Sequence, residues 1–490
     1  MWTQLADGSQ TTSRYDMAGR LAAIDEPAGP IAWNYDTVDR LIHELTPQGT
    51  VQYTYDAVGR RTTMTANGQA SVSYQYDATS RLTQVAQGTQ TVGLAYDAAG
   101  RRTGLTYPNG TTTRYGYDAA SRLTSLLHQG PAATVIESLT YTYDAAGNRI
   151  SLSRANQVAT ALPSAVQAAY DAANEQIRLN SATPNLTYDA NGNLASQTDA
   201  TGTTTYTWDG RNRLVALSGP GMSASFVYDA LGRRVSKTIN GARTEYQYDG
   251  HDIVAELSGG AVGATYLRSL SIDEPFIRQG ASMEYYHADA LGSVLRLTDS
   301  AGVLTTTYTY EAFGKTTSTG GSENLFQYTG RENDGAGLYY YRARYYLPTI
   351  QRFIAEDPIG FAGGDVNLYT YVWNDPINFI DPTGEISWRE AGRILILLGR
   401  LAWDGSGHDP KIPDKKDAQK IERLIDKVKN EKGFVDPELL LLLLPLPPIL
   451  DEFIHPDELD ADPCEMPGGP PCQPKDLPPC KTIGGRKDNC

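Results

Sequence analysis

Short stretches of the chain alternate between apolar and polar residues with a period of two. In the segment from Val51 to Tyr55, Val51, Tyr53 and Tyr55 fall on one face, whereas Gln52 and Thr54 fall on the other. A strand with one buried and one solvated face requires this alternation. Similar segments recur through the first half of the chain, so the pattern predicts a long series of β-strands.

An aromatic residue followed by aspartate recurs between these segments, at a spacing of about twenty residues. The pair occurs twelve times, with its Asp at positions 16, 36, 56, 77, 97, 118, 144, 171, 189, 209, 229 and 249. The third residue after each Asp is Gly or another turn former, the last of them Asp252. This pattern predicts a type I turn in every repeat. Twelve evenly spaced carboxylates are typical of turn caps rather than of an active site.

Arginine stands directly after the turn in eight of the twelve repeats. An Arg four residues from an Asp across a tight turn can pair with its carboxylate and lay its guanidinium on a neighbouring tyrosine ring. We therefore expect stacked hairpins, each supporting the next, that form one long sheet. Such a sheet has exposed edges unless it closes or is capped.

Composition divides the chain near residue 385. The 490 residues carry a net charge of −15, which argues against nucleic-acid binding by the chain as a whole. Of the 12 lysines, only Lys237 and Lys315 precede residue 385, and the remainder of the chain holds 14 of the 27 prolines and all four cysteines. So sharp a change predicts a domain boundary.

The sequence shows neither a secretion signal nor a membrane span. No charged and then apolar leader follows Met1. The longest apolar run, residues 439–450, is interrupted by prolines and is shorter than the roughly 20 residues that a membrane helix needs. We expect no transmembrane segment, and export would need a specialised route.

The Tyr-Asp-x-x-Gly-Arg repeats resemble the YD repeats of the Rhs family and of the related toxin-complex and teneurin shells. The run "YTGRENDGAGLYYYRARYYLPTIQRFIAEDPIGFAGGDVNLYTYVWNDPINFIDPTG" resembles the Rhs-associated core. The resemblance predicts a mainly β protein, with YD repeats over 1–270, the core over 271–384 and a variable segment over 385–490. It implies that a hollow shell, or part of one, encloses the segment that follows the core.

The resemblance also implies that the core cuts the chain just after its second Asp-Pro-x-Gly motif. Two carboxyls held together in an apolar environment cannot both ionise easily, so one acts as an acid while the other activates water. We predict that Asp357 and Asp381 form this pair, that Arg352 supports them, and that the bond between Glu385 and Ile386 is cut.

These motifs also fit other interpretations. Asp-Pro-x-Gly also builds ordinary turns. Asp375 is a reserve candidate for the acid pair, and His287 is expected to be structural. Relatives place an apolar residue after the second motif, where this chain has Glu385.

The segment after the boundary is predicted to be partly helical and rich in proline. Residues 386–403 are apolar on all sides except for three arginines, which favours a buried or shell-contacting helix over a membrane-active one. Apolar residues at helical spacing lie in 414–433, and a short helix is predicted over 439–444. The four cysteines lack the Cys-x-x-Cys spacing of zinc sites, so we expect no metal and no cofactor. The segment is a candidate toxin or the remnant of one.

The partner implied by this reading is the chain's own C-terminal segment inside the shell. An immunity protein, a secretion-system component and a second shell chain are further candidates, and the location would be secreted or at the cell surface. The alternative is a non-catalytic surface module that engages glycans or other cells through its tyrosine-rich face.

Overall fold

A computed structural model describes residues 2–4, 10–155, 167–183, 185–335 and 337–385. The predicted tail helices, the four cysteines and Ile386 lie outside the described residues. Strands dominate these ranges, and the only helical elements within them are four single 3₁₀ turns, at Pro131–Ala133, Tyr328–Gly330, Gly360–Gly363 and Val372–Asn374. The mainly β fold class predicted from the alternation is therefore confirmed.

The strands form two large antiparallel sheets and two small ones, and within each sheet the strand order follows the chain. The fifteen strands of the first sheet, β1 to β15, span Trp2–Gln4, Gln10–Tyr15, Leu21–Asp25, Ile31–Tyr35, Leu41–Thr46, Gly49–Tyr55, Arg61–Ala66, Val72–Tyr76, Leu82–Gln87, Gln90–Tyr96, Arg102–Thr106, Thr112–Tyr117, Leu123–Gln129, Val135–Tyr143 and Arg149–Arg154. A two-stranded sheet follows, with β16 at Ala168–Tyr170 and β17 at Gln176–Leu179.

The fourteen strands of the second large sheet, β18 to β31, span Leu186–Tyr188, Leu194–Asp199, Gly202–Trp208, Leu214–Gly219, Met222–Tyr228, Arg234–Ile239, Ala242–Asp249, Asp252–Ser258, Ala261–Arg268, Pro275–Gln279, Met283–Ala288, Val294–Thr298, Leu304–Tyr310 and Thr316–Thr319. This sheet continues across residue 270, where the sequence predicted the start of the core. A four-stranded sheet completes the described part, with β32 to β35 at Glu332–Asn333, Tyr339–Tyr341, Arg344–Leu347 and Arg352–Phe353.

The turns between strands have the geometry that the repeat predicts, as the hairpin from β6 to β7 illustrates. The Gly59 N–H donates to the Asp56 carbonyl oxygen at 3.0 Å, and Gly59 has a φ of +83°, which favours glycine. One Asp56 carboxylate oxygen accepts the N–H groups of Val58 and Arg60 at 3.1 and 2.9 Å. The pairing register shifts by one residue beside this turn, so each repeat combines a tight turn with a bulge.

The arginine after each turn joins one repeat to the next. Arg60 Nε donates to the second oxygen of Asp56 at 2.7 Å, while its guanidinium lies 4.8 Å from the ring centre of Tyr76 in the following repeat. Both contacts recur for all eight such arginines, Arg20, Arg40, Arg60, Arg81, Arg101, Arg122, Arg213 and Arg233. The predicted pairing and stacking are confirmed, and we call this series the arginine ladder.

The twelfth repeat departs from the prediction. Asp249 and Asp252 pair with each other at the ends of two strands, so Asp252 closes a four-residue turn, but Gly250 within it has a φ of +58°. A type I turn needs a negative φ at that position, so the predicted turn type is wrong here. The Asp249 carboxylate instead reaches the first sheet, where it binds Arg61 at 2.5 Å and accepts the Tyr53 hydroxyl at 2.9 Å. A partner on the other sheet has replaced the local cap.

The two large sheets share a core of apolar and aromatic side chains. Val85 and Val92 of the first sheet and Leu267 and Ile277 of the second are fully buried in one cluster. Polar contacts also join the sheets, including a bond between His128 Nε2 and the carbonyl oxygen of Ala288 at 3.0 Å. Within the described ranges, no helix is long and apolar enough to cross a membrane.

Candidate functional site

The candidate site lies beside the hairpin formed by β33 and β34, where Arg342 and Arg344 interrupt a run of buried tyrosines. Arg344 opens β34 and is buried, with its guanidinium 3.7 Å from the ring centre of Phe353. A buried arginine requires acidic partners because an unpaired charge in a protein interior is costly. Arg344 Nη2 lies 2.8 Å from Asp357 Oδ2 and 3.6 Å from Asp381 Oδ2. The structure thus brings both predicted acids to one guanidinium.

Each aspartate uses its other oxygen to build its own turn. Asp357 Oδ1 accepts the N–H of Ile359 at 3.0 Å. Asp381 Oδ1 accepts the N–H groups of Gly384 and Glu385 at 2.8 and 3.2 Å. The turn-building and chemical interpretations of the two motifs are therefore compatible, since one oxygen caps the turn and the other faces Arg344.

Residues 342–344 hold the backbone of residues 382–384, and we call this arrangement the clamp. The Arg342 side chain, the Ala343 N–H and the Arg344 side chain donate, in that order, to the carbonyl oxygens of Pro382, Thr383 and Gly384. Gly384 has a φ of +77°, and a Cβ there would overlap the carbonyl oxygen of Tyr341. The approach of the two segments therefore needs glycine at this position.

Glu385 follows the clamp and borders the same small cavity as Arg344, Asp357 and Asp381. The surroundings of Gly363 show where the Glu385 carbonyl group lies. A Cβ atom placed on Gly363 would be 2.8 Å from Asp357 Oδ2 and 3.0 Å from the Glu385 carbonyl oxygen. The cavity has room for about one water molecule. The carbonyl of the predicted cut therefore lies beside one of the predicted acids.

Burial dominates the acid–base chemistry of this cluster. It raises the pKa of Asp357 to about 6, against the opposing effect of Arg344 and with a further upward contribution from Asp381. Burial raises the pKa of Glu385 to about 7, and the nearby charges of Asp357 and Asp381 add smaller increases. Burial lowers the pKa of Arg344, although its acidic neighbours oppose that shift. The site thus retains protons that exposed carboxyls would have lost at neutral pH.

A buried ionic network anchors the hairpin that carries Arg344. Arg234 donates to the Tyr345 hydroxyl at 3.0 Å and pairs with Glu332 at 2.5 Å and with Asp334. Lys237 Nζ lies 2.9 Å from the other oxygen of Asp334. Because Arg234 and Lys237 belong to the second large sheet, this network fixes the small sheet to the large one.

Arg352, predicted to support the acids, lies elsewhere. Its guanidinium stacks 4.6 Å from the ring centre of Tyr170 and donates to the Asn174 carbonyl oxygen at 2.7 Å. The guanidinium beside the carboxylates belongs to Arg344, which sequence reasoning missed. Its signal was available, because an arginine within a run of tyrosines and leucine is a candidate for a buried ion pair.

The two remaining candidates occupy other positions. Asp375 accepts the side-chain amide of Asn378 at 2.9 Å and so caps a neighbouring turn. His287 is fully buried, bonds to the Thr298 hydroxyl at 3.1 Å, and lies 5.3 Å from the ring of His128 on the other sheet.

Comparison with known families identifies this architecture. The teneurin YD-shell family profile matches residues 4–113 and 109–377. The chain belongs to the teneurin YD-shell family. Apart from the start of β1, both large sheets and the small sheet that carries Arg344 lie within the matched ranges.

A nuclease and a toxin are similar to parts of this YD-shell chain. The tRNA nuclease WapA of Bacillus subtilis is 30% identical over 286 residues, which are 56% of this chain and 12% of the relative. The toxin protein Tse5 of Pseudomonas aeruginosa is 36% identical over 126 residues, or 25% of this chain and 9% of the relative. This chain thus matches only about a tenth of the length of each.

A solved structure shares the fold. The crystal structure of TcdB2-TccC3-TEV superposes with a TM-score of 0.58 at 20% identity, covering 78% of this chain and 27% of that one. At this level of identity the likeness concerns the fold alone.

Proposed function

We propose that this YD-shell chain encloses the segment that follows its core and releases that segment by a single hydrolysis of its own backbone. The observation that carries the proposal is the pair Asp357 and Asp381, which share Arg344 beside the Glu385 carbonyl group in a cavity the size of one water molecule. The tRNA nuclease and the toxin among its relatives support a harmful cargo, with residues 386–490 as the candidate.

The proposed cut needs one proton donor, one proton acceptor and one water. Asp357 holds a proton because of its raised pKa, and Asp381 takes a proton from the water as its oxygen attacks the carbonyl carbon of Glu385. Asp357 then gives its proton to the amide nitrogen of Ile386, and the C–N bond breaks. The products are a carboxyl group at Glu385 and a free amine at Ile386.

Arg344 and the clamp position the reacting bond. Arg344 holds both carboxylates, and the clamp fixes the three residues before Glu385 so that its carbonyl stays at the acid pair. Fixed geometry of this kind lowers the barrier because no orientational freedom is lost on the way to the transition state.

The wider setting of the proposal is delivery to another cell. The released segment would act as the toxin, an immunity protein would protect the producer, and a secretion system would export the shell to the cell surface or beyond. A second shell chain is a further proposed partner. No part of the proposal needs a metal or a cofactor.

The test of the cut is the state of the purified chain at pH 6. We expect fragments 1–385 and 386–490, with the smaller one beginning at Ile386. Asp381→Asn should leave the chain intact and folded, whereas the matched control Asp375→Asn, which alters a turn cap outside the cavity, should still be cut. A break that begins at Pro358 or Pro382 would instead report acid fragility of an Asp-Pro bond.

Two outcomes would reject the cut or the cargo. If both the native chain and Glu385→Leu stay intact and folded, the self-cleavage proposal is wrong, and the non-catalytic surface module becomes the better account. Expression of residues 386–490 alone inside bacteria should stop growth, and unimpaired growth would contradict a toxic cargo.

A further inference from the structure

Glu385 adds a fourth carboxyl group to a cavity that is lined by a single guanidinium. The charged groups that line this cavity are Arg344, Asp357, Asp365, Asp381 and Glu385. Arg344 pairs with Asp357 and Asp381, so its charge is already shared. An additional negative charge at Glu385 would lie in a partly buried space without a cation of its own.

The backbone of Glu385 holds this carboxyl next to the bond that the proposed reaction breaks. Its N–H is bound by Asp381 Oδ1 at 3.2 Å, and its carbonyl oxygen lies above Gly363 beside Asp357 Oδ2. The side chain leaves the Cα atom to which that carbonyl is attached. Glu385 is therefore part of the proposed substrate and is also one of the residues that line the cavity.

The charge of Glu385 affects the reaction directly. When water attacks the carbonyl carbon, negative charge develops on the carbonyl oxygen. An ionised carboxylate a few bonds away repels that charge and competes for Arg344, and both effects are strong where water is scarce. A protonated carboxyl adds no charge and leaves Arg344 to the two aspartates.

We propose that Glu385 is a proton-operated switch on the cut, so that hydrolysis proceeds while its side-chain carboxyl is protonated and stops when that carboxyl ionises. This inference rests on the proposed self-cleavage and adds its regulation. The shell would hold its cargo in alkaline surroundings and release it in mildly acidic ones.

The pH at which the switch operates follows from the cavity. Burial and the neighbouring aspartates raise the pKa of Glu385 to about 7, so the group is protonated below neutral pH and ionised above it. Asp357, with a pKa of about 6, must also hold a proton. The cut therefore needs both groups to be protonated. For each group, the rate falls about tenfold per pH unit once the pH exceeds the pKa of that group.

The experiment measures the rate of cutting from pH 5 to pH 9. Radiolabelled full-length chain is made in a cell-free system, shifted to buffers of each pH, and followed on gels. Above pH 7.5 we expect the rate of the native chain to fall about a hundredfold per pH unit. Glu385→Gln and Glu385→Leu should fall only about tenfold per unit. The matched control Glu356→Gln, next to Asp357 but outside the cavity lining, should keep the steep native profile.

The outcomes separate this inference from the proposed function. The switch is supported if the cutting rate of both Glu385 variants falls only about tenfold per pH unit while that of the native chain falls about a hundredfold. The same steepness in the native chain and Glu385→Gln overturns the switch and leaves the self-cleavage intact. If the native chain and both Glu385 variants remain uncut at every pH, the self-cleavage fails and the switch fails with it. Asp381→Asn should remain uncut throughout.

Discussion

Removal of the Asp334 carboxylate should strongly destabilise the chain. Asp334 is buried and pairs with both Arg234 and Lys237, whose side chains are 0% and 8% exposed. Asp334→Asn leaves Lys237 without an acid and Arg234 with Glu332 alone. Loss of one partner from a buried ionic network costs about 3–5 kcal/mol because the remaining charge stays uncompensated.

The assay is urea unfolding of full-length chain in an Asp381→Asn background, in which we expect every variant to stay uncut. The matched control is Glu311→Gln, which removes a surface ion pair between the Glu311 side chain, 34% exposed, and the Lys315 side chain, 58% exposed. That change should cost about 0–1 kcal/mol. Equal losses of unfolding free energy in Asp334→Asn and Glu311→Gln would refute the reasoning.

Two further observations locate the cost in the unpaired charge. Lys237→Met in the Asp334→Asn background should recover part of the loss, since it removes the uncompensated ammonium group. Burial acts to raise the pKa of Asp334, but Arg234 and Lys237 outweigh it, and the pKa is lowered. Because the pKa of Asp334 is lower in the folded chain than its ordinary value of 3.8, the ionised carboxylate stabilises the fold above pH 3.8. This contribution is lost as the pH falls from 3.8 through the lowered pKa. The difference in unfolding free energy between the Asp381→Asn parent and its Asp334→Asn variant should therefore disappear below about pH 4.

Three other changes test the core, the clamp and the ladder. Burial lowers the pKa of His128 from 6.5 to about 4, so stability should fall by about 3 kcal/mol as pH drops from 6.5 to 4, and His128→Gln should reduce that fall in thermal unfolding. Gly384→Ala should abolish the cut on gels, whereas Gly337→Ala, with a similar φ of +76° and open space around it, should not. Arg101→Ala should lower the unfolding free energy in urea by about 1 kcal/mol. Arg101→Lys should recover little of this loss, because a lysine side chain cannot stack on the Tyr117 ring while pairing with two groups.

The repeat region was predictable because its decisive contacts are local. The Asp, the turn and the Arg of a repeat lie within five residues, and the ring on which the Arg stacks comes from the next repeat. The exception shows the limit of that logic. Asp249 takes its partner Arg61 from 188 residues away, and nothing in the repeat pattern signals a contact across two sheets.

The candidate site was predictable only in part for the same reason. Asp357 and Asp381 are marked by their Asp-Pro-x-Gly motifs, whose turn chemistry is local. Arg344 carries no motif, and its place between the acids depends on the packing of a hairpin against two loops. Arg352 is close to the motif in sequence, yet its strand directs it to Tyr170 instead. Proximity along the chain therefore indicated the wrong arginine.

The arginine ladder has a consequence for how such chains change their length over evolutionary time. A recombination event that copies one repeat in register would give the new arginine its own aspartate and a ring to stack on, so neighbours along the sheet would tolerate it. Pairs between the sheets, such as Arg61 with Asp249, would shift by one hairpin. Gains and losses of hairpins should therefore occur in matched numbers on the two sheets, which have fifteen and fourteen strands within the described residues.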